Sequence, residues 1–158
     1  MADGREIERK FLVADPPVGY ADHPSEPIEQ GYIVVEGQSE VRVRRRGGRT
    51  LLTVKAGAGR VRVEEEFEID QRRFASLWPL SEGRRIAKTR YLLPADGGLT
   101  IELDVYTGDL AGLTVAEVEF DSEAASDDFQ PPGWFTRELT DDHRYANRAL
   151  AVDGLPDS

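Results

Sequence analysis

Apolar and polar residues alternate along most of this chain, which is the pattern of β-strands rather than of helices. In residues 6–12 and 40–46, charged side chains recur at every second position and apolar side chains fill many of the positions between them. The same alternation predicts further strands over residues 28–35, 51–55, 60–69, 85–93, 99–106 and 114–120. Because short turns join most of these segments, we expect an antiparallel sheet of about eight strands.

Other segments carry a helical pattern instead. An apolar stripe predicts a helix over residues 70–79, and an acidic segment predicts a short one over residues 122–129. Residues 134–139 and 141–152 predict a C-terminal helical piece. No linker or internal repeat divides the chain, so the sequence predicts one α+β domain over residues 1–158.

Nearly every predicted strand has one charged face and one apolar face. Side chains two positions apart share a face, so Arg42, Arg44 and Arg46 point to one side and Arg45 to the other. A half-exposed sheet with its charged face in water would explain this pattern. However, the polar face holds few uncharged residues, and the helices need the apolar face to pack against. We therefore expect a closed eight-stranded antiparallel barrel, a tunnel with a charged interior and with its helices packed outside.

The candidate site residues are the charged side chains of that interior. The cations are Lys10, Arg42, Arg44, Lys55, Lys88 and Arg90. The acids are Glu6, Glu8, Glu66, Glu68, Glu102, Asp104, Glu117 and Glu119. Lysine and arginine bind phosphate oxygens, and carboxylates suit hard ions such as Mg²⁺ or Mn²⁺. Together the two sets predict a site for a metal-bound oligophosphate.

Composition narrows the class of protein further. Twenty Lys plus Arg against thirty Asp plus Glu give a net charge of −10, which disfavours nucleic acid and anionic membranes as partners. The absence of cysteine excludes disulfides, thiolate nucleophiles and cysteine-ligated metals, and two histidines are too few for a three-histidine site. No apolar run reaches the length of a membrane span, so we expect a cytoplasmic protein. The charged candidate site leads us to expect a small molecule as its binding partner. A homodimer is left open.

The charged residues also occur in an order that resembles the CYTH superfamily, the triphosphate tunnel metalloenzymes. Residues 6–10 (EIERK) are similar to its N-terminal E-x-E-x-K signature. Further matches are Gln30-Gly31-Tyr32, Arg42-x-Arg44, Lys55, Glu66-x-Glu68, Lys88-x-Arg90, Glu102-x-Asp104, Glu117-x-Glu119 and residues 142–147. The resemblance spans roughly residues 5–150 and is strongest to the short bacterial inorganic triphosphatases.

This resemblance implies a hydrolase that cleaves tripolyphosphate to pyrophosphate and phosphate with Mg²⁺ or Mn²⁺. Under it, Glu6, Glu8 and Glu119 hold the catalytic metal, and Glu117 assists a second metal or the attacking water. Lys88 is the cation expected to matter most as charge shifts during transfer, and the six cations together bind phosphate oxygens. The remaining acids, expected to orient cations or assist a second metal, are Glu66, Glu68, Glu102 and Asp104.

The resemblance leaves other activities open. Its members include class IV adenylyl cyclases and thiamine, nucleoside and RNA triphosphatases, and a non-catalytic polyphosphate-binding module is a further alternative. Many of the cyclases carry histidine shortly before the signature, where residues 2–5 (ADGR) stand here. A nucleoside or thiamine substrate would need an aromatic platform near the tunnel mouth, and we expect Trp78 and Trp134 to pack against helices instead. Tripolyphosphate is the simplest expectation.

Overall fold

The computed structural model describes residues 7–58 and 61–157, and these contain nine strands and three α-helices. The strands are β1 (Ile7–Leu12), β2 (Ser25–Glu36), β3 (Ser39–Arg46), β4 (Arg49–Ala58), β5 (Val61–Glu68), β6 (Arg85–Pro94), β7 (Thr100–Thr107), β8 (Thr114–Phe120) and β9 (Arg137–Glu138). The helices are α1 (Gln71–Leu77), α2 (Glu123–Asp128) and α3 (Asn147–Asp153). The eight longer strands lie where the alternation predicts them, within a few residues at each end.

The helix predicted over residues 134–139 is wrong, because this segment contains the short strand β9. Its backbone pairs with β1: the Leu139 N–H donates to the Lys10 carbonyl at 2.7 Å, and the Thr136 N–H donates to the Leu12 carbonyl at 2.8 Å. Apolar residues in this segment have a helical spacing, but the hydrogen-bonding edge of β1 holds the chain extended.

The predicted closed eight-stranded barrel is also wrong, because the nine strands form one open antiparallel sheet. Their order is β5-β4-β3-β2-β6-β7-β8-β1-β9, and within the described residues β5 pairs with β4 alone. Closure would require β5 to pair with the outer edge of β1. Residues 136–140 occupy that edge: besides the β9 pairing, the Lys10 N–H donates to Thr140 Oγ1 at 3.1 Å and the Ala14 N–H to Thr136 Oγ1 at 3.0 Å.

The sheet nevertheless curls strongly around its charged face. β5 and β1 are seven strand spacings apart in the sheet order. That separation would be about 34 Å in a flat sheet at the usual ~4.8 Å per spacing. Yet Glu64 and Glu66 of β5 line the same cavity as Glu8 and Lys10 of β1. The charged face is therefore concave, and the apolar face is outside.

The first two helices pack on the outer face, as expected. Phe74 of α1 is buried and stacks on Trp78, with ring centroids 5.3 Å apart. α2 begins at Ser122, whose side chain accepts a hydrogen bond from the Ala125 N–H. Beyond α2, Phe129 packs edge-on against Phe120 of β8. No helix in the part of the chain described here is long and apolar enough to cross a membrane.

The third helix does not pack outside, which corrects the prediction for all helices. Leu150 and Ala151 of α3 join a core cluster with Tyr32, Ile86 and Tyr106. By the two-residue period, these three strand residues point to the same concave side as the charged residues of their strands. Helix α3 therefore lies across one end of the charged face and closes it with apolar contacts. The sequence did not predict this, because an amphipathic helix has the same pattern on either side of a sheet.

Candidate active site

Most of the predicted site residues meet in one cavity of about 580 Å³ on the concave face. Those that line it are Glu8, Lys10, Arg42, Arg44, Lys55, Glu66, Lys88, Arg90, Glu102, Glu117 and Glu119. In all, eight basic and seven acidic side chains line this cavity. The whole protein carries a charge of −10, so the cavity is far richer in positive charge than the rest of the molecule.

A buried ion-pair network forms the floor of the cavity. Asp104 of β7 is fully buried and accepts hydrogen bonds from Lys88 Nζ at 2.7 Å and from Arg90 Nε at 2.8 Å. A second acid, Glu102, lies 2.6 Å from Arg90 Nη1. The register explains the arrangement, because Arg90 and Asp104 are directly paired residues of neighbouring strands.

Burial and neighbouring charges act against each other in this network. Burial alone would raise the pKa of Asp104, but Lys88 and Arg90 outweigh it and hold the pKa below its ordinary value. Burial lowers the pKa of Lys88, and Asp104 opposes that effect. Burial, with help from Glu117, raises the pKa of Glu102 against the attraction of Arg90. The floor therefore contains an ionised pair beside a carboxylate whose charge is less well stabilised.

A second cluster lies on the wall formed by β3, β4 and β5. Glu66 accepts a hydrogen bond from Thr53 Oγ1 at 2.6 Å, and it lies 3.2 Å from Arg44 Nη2 and 3.7 Å from Arg42 Nη2. Burial, strengthened by Arg42, lowers the pKa of Arg44. The Nε atoms of Arg42 and Arg44 are buried, and neither has a hydrogen-bond partner among the residues that the structure describes. A buried donor without a partner is costly, so this wall lacks an acceptor such as a phosphate oxygen.

Three of the predicted metal ligands, Glu8, Glu117 and Glu119, lie on the paired strands β1 and β8. Glu8 is directly opposite Glu119, and Lys10 is opposite Glu117, with Lys10 Nζ 3.4 Å from Glu117 Oε1. Lys10 Nζ also donates to the Tyr145 carbonyl at 3.3 Å. Within the described residues, no three acidic or histidine side chains come together closely enough to form a metal site.

The chemistry of this strand pair nevertheless fits a hard divalent cation. Two cross-strand carboxylates repel each other unless a cation lies between them, and oxygen donors are the ligands that Mg²⁺ and Mn²⁺ prefer. Among the described residues, none forms an ion pair with Glu119. The third predicted ligand, Glu6, lies outside the described residues.

Two predicted acids do not line the cavity. Asp104 lies beneath its floor, where it anchors two cations. Glu68 lies at the exposed rim and pairs with Arg49 at 2.6 Å, with both side chains more than half exposed. Arg45 faces outward as its position predicts, and its guanidinium lies 4.6 Å from the centre of the Phe74 ring.

The cavity also contains residues that were not among the predicted site residues. These are Gln30, Tyr32, Glu40, Arg46, Glu64, Ala146, Asn147 and Arg148. Strand alternation was a sufficient signal for Arg46 and Glu64. Asn147 and Arg148 belong to α3, and no strand period could have placed them in the cavity. Arg148 Nη2 donates to the Gly37 carbonyl at 2.9 Å, and the Tyr106 hydroxyl donates to Asn147 Oδ1 at 2.8 Å.

A larger cavity of about 840 Å³ lies elsewhere, between the outer face of the sheet and the segment that follows α2. Leu93, Phe129 and Trp134 contribute to its mainly apolar lining, and none of the predicted cations reaches it. Size alone would favour this cavity, but none of the described residues that line it is a lysine or an arginine, so it offers little to a phosphate. We therefore assign the chemistry to the smaller, charged cavity.

The fold and the charge pattern together define a known class of protein. The CYTH domain model matches residues 4–149, so the chain belongs to the CYTH family, as its motifs predict. An inorganic triphosphatase of Nitrosomonas europaea is 47% identical over 148 residues, which are 93% of this chain and 97% of the relative. An inorganic triphosphatase of Acetivibrio thermocellus is 37% identical over 150 residues, or 93% of each protein.

Solved structures give the same result. The crystal structure of the inorganic triphosphatase NE1496 matches with a TM-score of 0.79 at 44% identity and covers 97% of both chains. A structure described as a putative adenylyl cyclase, HpAC1 from Hippeastrum, with a dominant triphosphatase activity matches with a TM-score of 0.56. It is 14% identical and covers 78% of this chain and 83% of its own, so that likeness concerns the fold alone.

Proposed function

We propose that this protein hydrolyses inorganic triphosphate to pyrophosphate and phosphate in the charged cavity, with Mg²⁺ or Mn²⁺ as its cofactor. Both relatives described above, at 47% and 37% identity, are named inorganic triphosphatases, which confirms the predicted enzyme class. The observation that carries the proposal is the pair of buried, unpartnered Nε atoms on Arg42 and Arg44 in a cavity lined by eight cations. A compact polyanion supplies the acceptors that these donors lack.

The substrate contacts follow from the positions of the cations. Arg42 and Arg44 present forked donors from β3, Lys10 reaches in from the opposite strand β1, and Lys55 comes from β4. Lys88 and Arg90 add positive charge at the floor, where little water remains to screen it. We assign these six side chains to the phosphate oxygens. Of these, Lys88 is the most deeply buried cation and the one whose charge would act most strongly as the bond to the leaving phosphate breaks.

Glu8 and Glu119, together with Glu6, are the residues that would hold the divalent cation, with Glu117 assisting. When bound, such a cation would offset phosphate charge and would make a water molecule at these carboxylates more acidic and so a better nucleophile. Asp104, Glu102 and Glu66 keep the cations in place before substrate arrives. The net reaction adds one water molecule to the triphosphate and releases phosphate and pyrophosphate.

The surroundings of the aromatic rings support an inorganic substrate over a nucleotide or thiamine triphosphate. Trp78 stacks on Phe74, and Trp134 lies edge-on against Phe135 with centroids 4.6 Å apart, so both tryptophans pack on the outer face. Tyr32 lines the cavity but is 1% exposed. In the described part of the chain, the cavity therefore offers no exposed ring for a base to stack on. The predicted cytoplasmic location, and a homodimer, remain predictions.

The test is phosphate release from tripolyphosphate, with and without Mg²⁺ or Mn²⁺, beside ATP and thiamine triphosphate. We expect fast, metal-dependent release from tripolyphosphate and much slower release from the other two. Glu119→Gln should lower metal-dependent release by about 100-fold or more, the scale on which single charge-stabilising groups act. The same variant should bind tripolyphosphate without metal about as tightly as the wild type does.

Glu65→Gln is the matched control, because Glu65 is exposed and lies between two cavity-lining glutamates of β5. It should retain full activity. Unchanged turnover in Glu119→Gln would contradict the metal assignment. If no phosphate is released from any of the three substrates, the proposed hydrolase activity is contradicted. Formation of cyclic AMP from ATP and binding of tripolyphosphate without hydrolysis would then be measured.

A further inference from the structure

Strand β2 changes register in the middle of the cavity wall. Tyr32 is opposite Arg42 of β3, but the next paired residue of β2 is Val34, opposite Val41. Ile33 is therefore an extra residue, a β-bulge. The bulge reverses the side-chain alternation of β2. Tyr32 faces the concave side before it, and Val35 packs against the same core cluster after it, while Val34 turns out into solvent.

The guanidinium of Arg84 binds the backbone of this bulge directly. Arg84 Nε donates to the Tyr32 carbonyl at 2.9 Å, and Arg84 Nη2 donates to the Ile33 carbonyl at 3.3 Å. Nη2 also donates to the Leu80 carbonyl at 2.9 Å, and the Tyr32 N–H returns a bond to the Arg84 carbonyl at 2.9 Å. A bulge disrupts the regular ladder, so these carbonyls need a donor from elsewhere. The forked guanidinium of Arg84 reaches all three carbonyls at once.

The bulge determines where the neighbouring cation lies. Tyr32 and Arg42 are a directly opposed cross-strand pair, so a shift of one backbone moves the other. The Tyr32 hydroxyl accepts from Gln30 Nε2 at 2.6 Å. Burial raises the pKa of Tyr32, and the charge of the opposed Arg42 acts against this effect. Arg42 also carries one of the two buried Nε atoms without a partner.

We propose that Arg84 is a positioning residue for triphosphate binding. It holds the bulge at Ile33, and the bulge holds Tyr32 and Arg42 in the cavity wall. Arg84 itself does not line the cavity and touches no substrate. The inference rests on the proposed function, since that function assigns Arg42 to a phosphate oxygen. Its experimental signature is weaker substrate binding caused by a side chain outside the cavity.

Arg85 offers a matched control one residue away. Arg85 Nη2 donates to the Trp78 carbonyl at 2.7 Å, and Nε donates to Ser81 Oγ at 3.0 Å. Both arginines therefore tie the same outer turn, Trp78–Ser81, to the sheet, but only Arg84 also binds the bulge. Loss of either should cost stability. Only loss of Arg84 should change the cavity.

The experiment compares Arg84→Gln, Arg84→Lys and Arg85→Gln in steady-state hydrolysis of tripolyphosphate. Arg84→Gln should raise KM about tenfold with kcat within about twofold, the result expected when binding is lost equally from ground and transition states. Arg84→Lys keeps the positive charge but loses the planar fork of the guanidinium, so its KM should lie between those of Arg84→Gln and the wild type. Arg85→Gln should keep its KM within about twofold while losing comparable thermal stability. Calorimetric titration of tripolyphosphate without metal should give the same order of affinities.

A double variant separates positioning from general weakening of the fold. If Arg84 acts through Arg42, Arg84→Gln should have little further effect on kcat/KM in an Arg42→Gln background. Full additivity, or equal KM values for Arg84→Gln and Arg85→Gln, would overturn the inference while leaving the proposed function intact. Should Arg84→Gln fail to fold, Arg84→Lys in the same comparison decides the question. A wild-type protein that neither hydrolyses nor binds tripolyphosphate would instead remove the proposed function, and the inference with it.

Discussion

The buried network at the cavity floor makes a quantitative prediction for Asp104→Asn. Asparagine keeps the shape of the side chain and one acceptor oxygen, but it removes the negative charge. The side chains of Lys88 and Arg90 are 2% and 11% exposed. After the substitution Arg90 would keep its contact with Glu102, but Lys88 would lose its short ion pair. The substitution therefore isolates the contribution of one buried charge.

The expected loss is large because both cations are desolvated. Removing one partner of a buried ion pair typically costs about 3–5 kcal/mol. For a domain of this size, ~2–4 °C of melting temperature is lost per kcal/mol, so we expect a decrease of about 6–20 °C. Burial already lowers the pKa of Lys88, and loss of Asp104 should lower it further. In the pH range between the lowered pKa of Lys88 in the folded variant and its ordinary value of 10.5, the folded variant binds fewer protons than the unfolded chain. The stability of the variant should therefore rise with pH in this range.

The assay is urea unfolding of the metal-free protein, followed by circular dichroism, at neutral pH and at several higher values. Glu65→Gln, which changes an exposed carboxylate, should shift the free energy of unfolding by no more than about 0.5 kcal/mol. A loss below about 1 kcal/mol in Asp104→Asn would refute the argument, because that is the size expected of an exposed pair. If the difference in free energy of unfolding between the wild type and Asp104→Asn does not shrink as the pH rises, the role assigned to Lys88 is refuted.

Two further substitutions test packing and charge. A Cβ added at Gly31 would overlap with Ser81 Oγ, so Gly31→Ala should cost about 1–3 kcal/mol in thermal unfolding. Gly48→Ala, where the added Cβ meets nothing within 4 Å, should cost far less. Equal losses in the two variants would contradict the close approach of the outer turn to β2. Burial raises the pKa of Glu102, so its ionised form is disfavoured in the folded state. The stability of the protein therefore falls as the pH rises from the unfolded-state pKa of Glu102 to its higher folded-state pKa. Glu102→Gln should therefore melt at least as high as the wild type at pH 7 without metal, and a clear decrease would show that its pairing with Arg90 outweighs its burial.

The two-residue period was sufficient to predict the eight longer strands and most of the lining of the charged cavity. It placed Arg42, Arg44 and Arg46 on one face and Arg45 on the other, and each side chain lies where the period puts it. The prediction of these orientations succeeded because successive side chains of a strand point to opposite faces, however the sheet curves. The two faces differ in charge, so a one-residue error in register would have placed charged residues in the core.

The open edge of the sheet, the β-bulge and the position of α3 could not be predicted, because none of them produces a periodic pattern in the sequence. β9 has two residues, too few to alternate, yet it occupies the edge of β1 that a closed barrel would need. The segment around the bulge at Ile33 is a continuous apolar run, which hides the reversal of direction. Helix α3 closes one end of the cavity from the concave side, and its apolar stripe would look the same on the outer face.

The ion pairs between the cations and the acids of the cavity differ in strength, and this difference indicates which pairs break when the substrate binds. The Lys88–Asp104 pair is short, at 2.7 Å, and is buried, so breaking it would be costly. The contacts of Arg42 with Glu66 and of Lys55 with Glu64 are long, at 3.7 and 3.8 Å, and Lys55 is partly exposed. Long contacts of this kind are weak, and the Lys55–Glu64 pair is also open to solvent, so its loss should reduce stability little. We therefore expect phosphate to displace the acids from Arg42 and Lys55 while the Lys88–Asp104 pair stays formed, so that the acids balance the charge of the cations until the polyanion arrives.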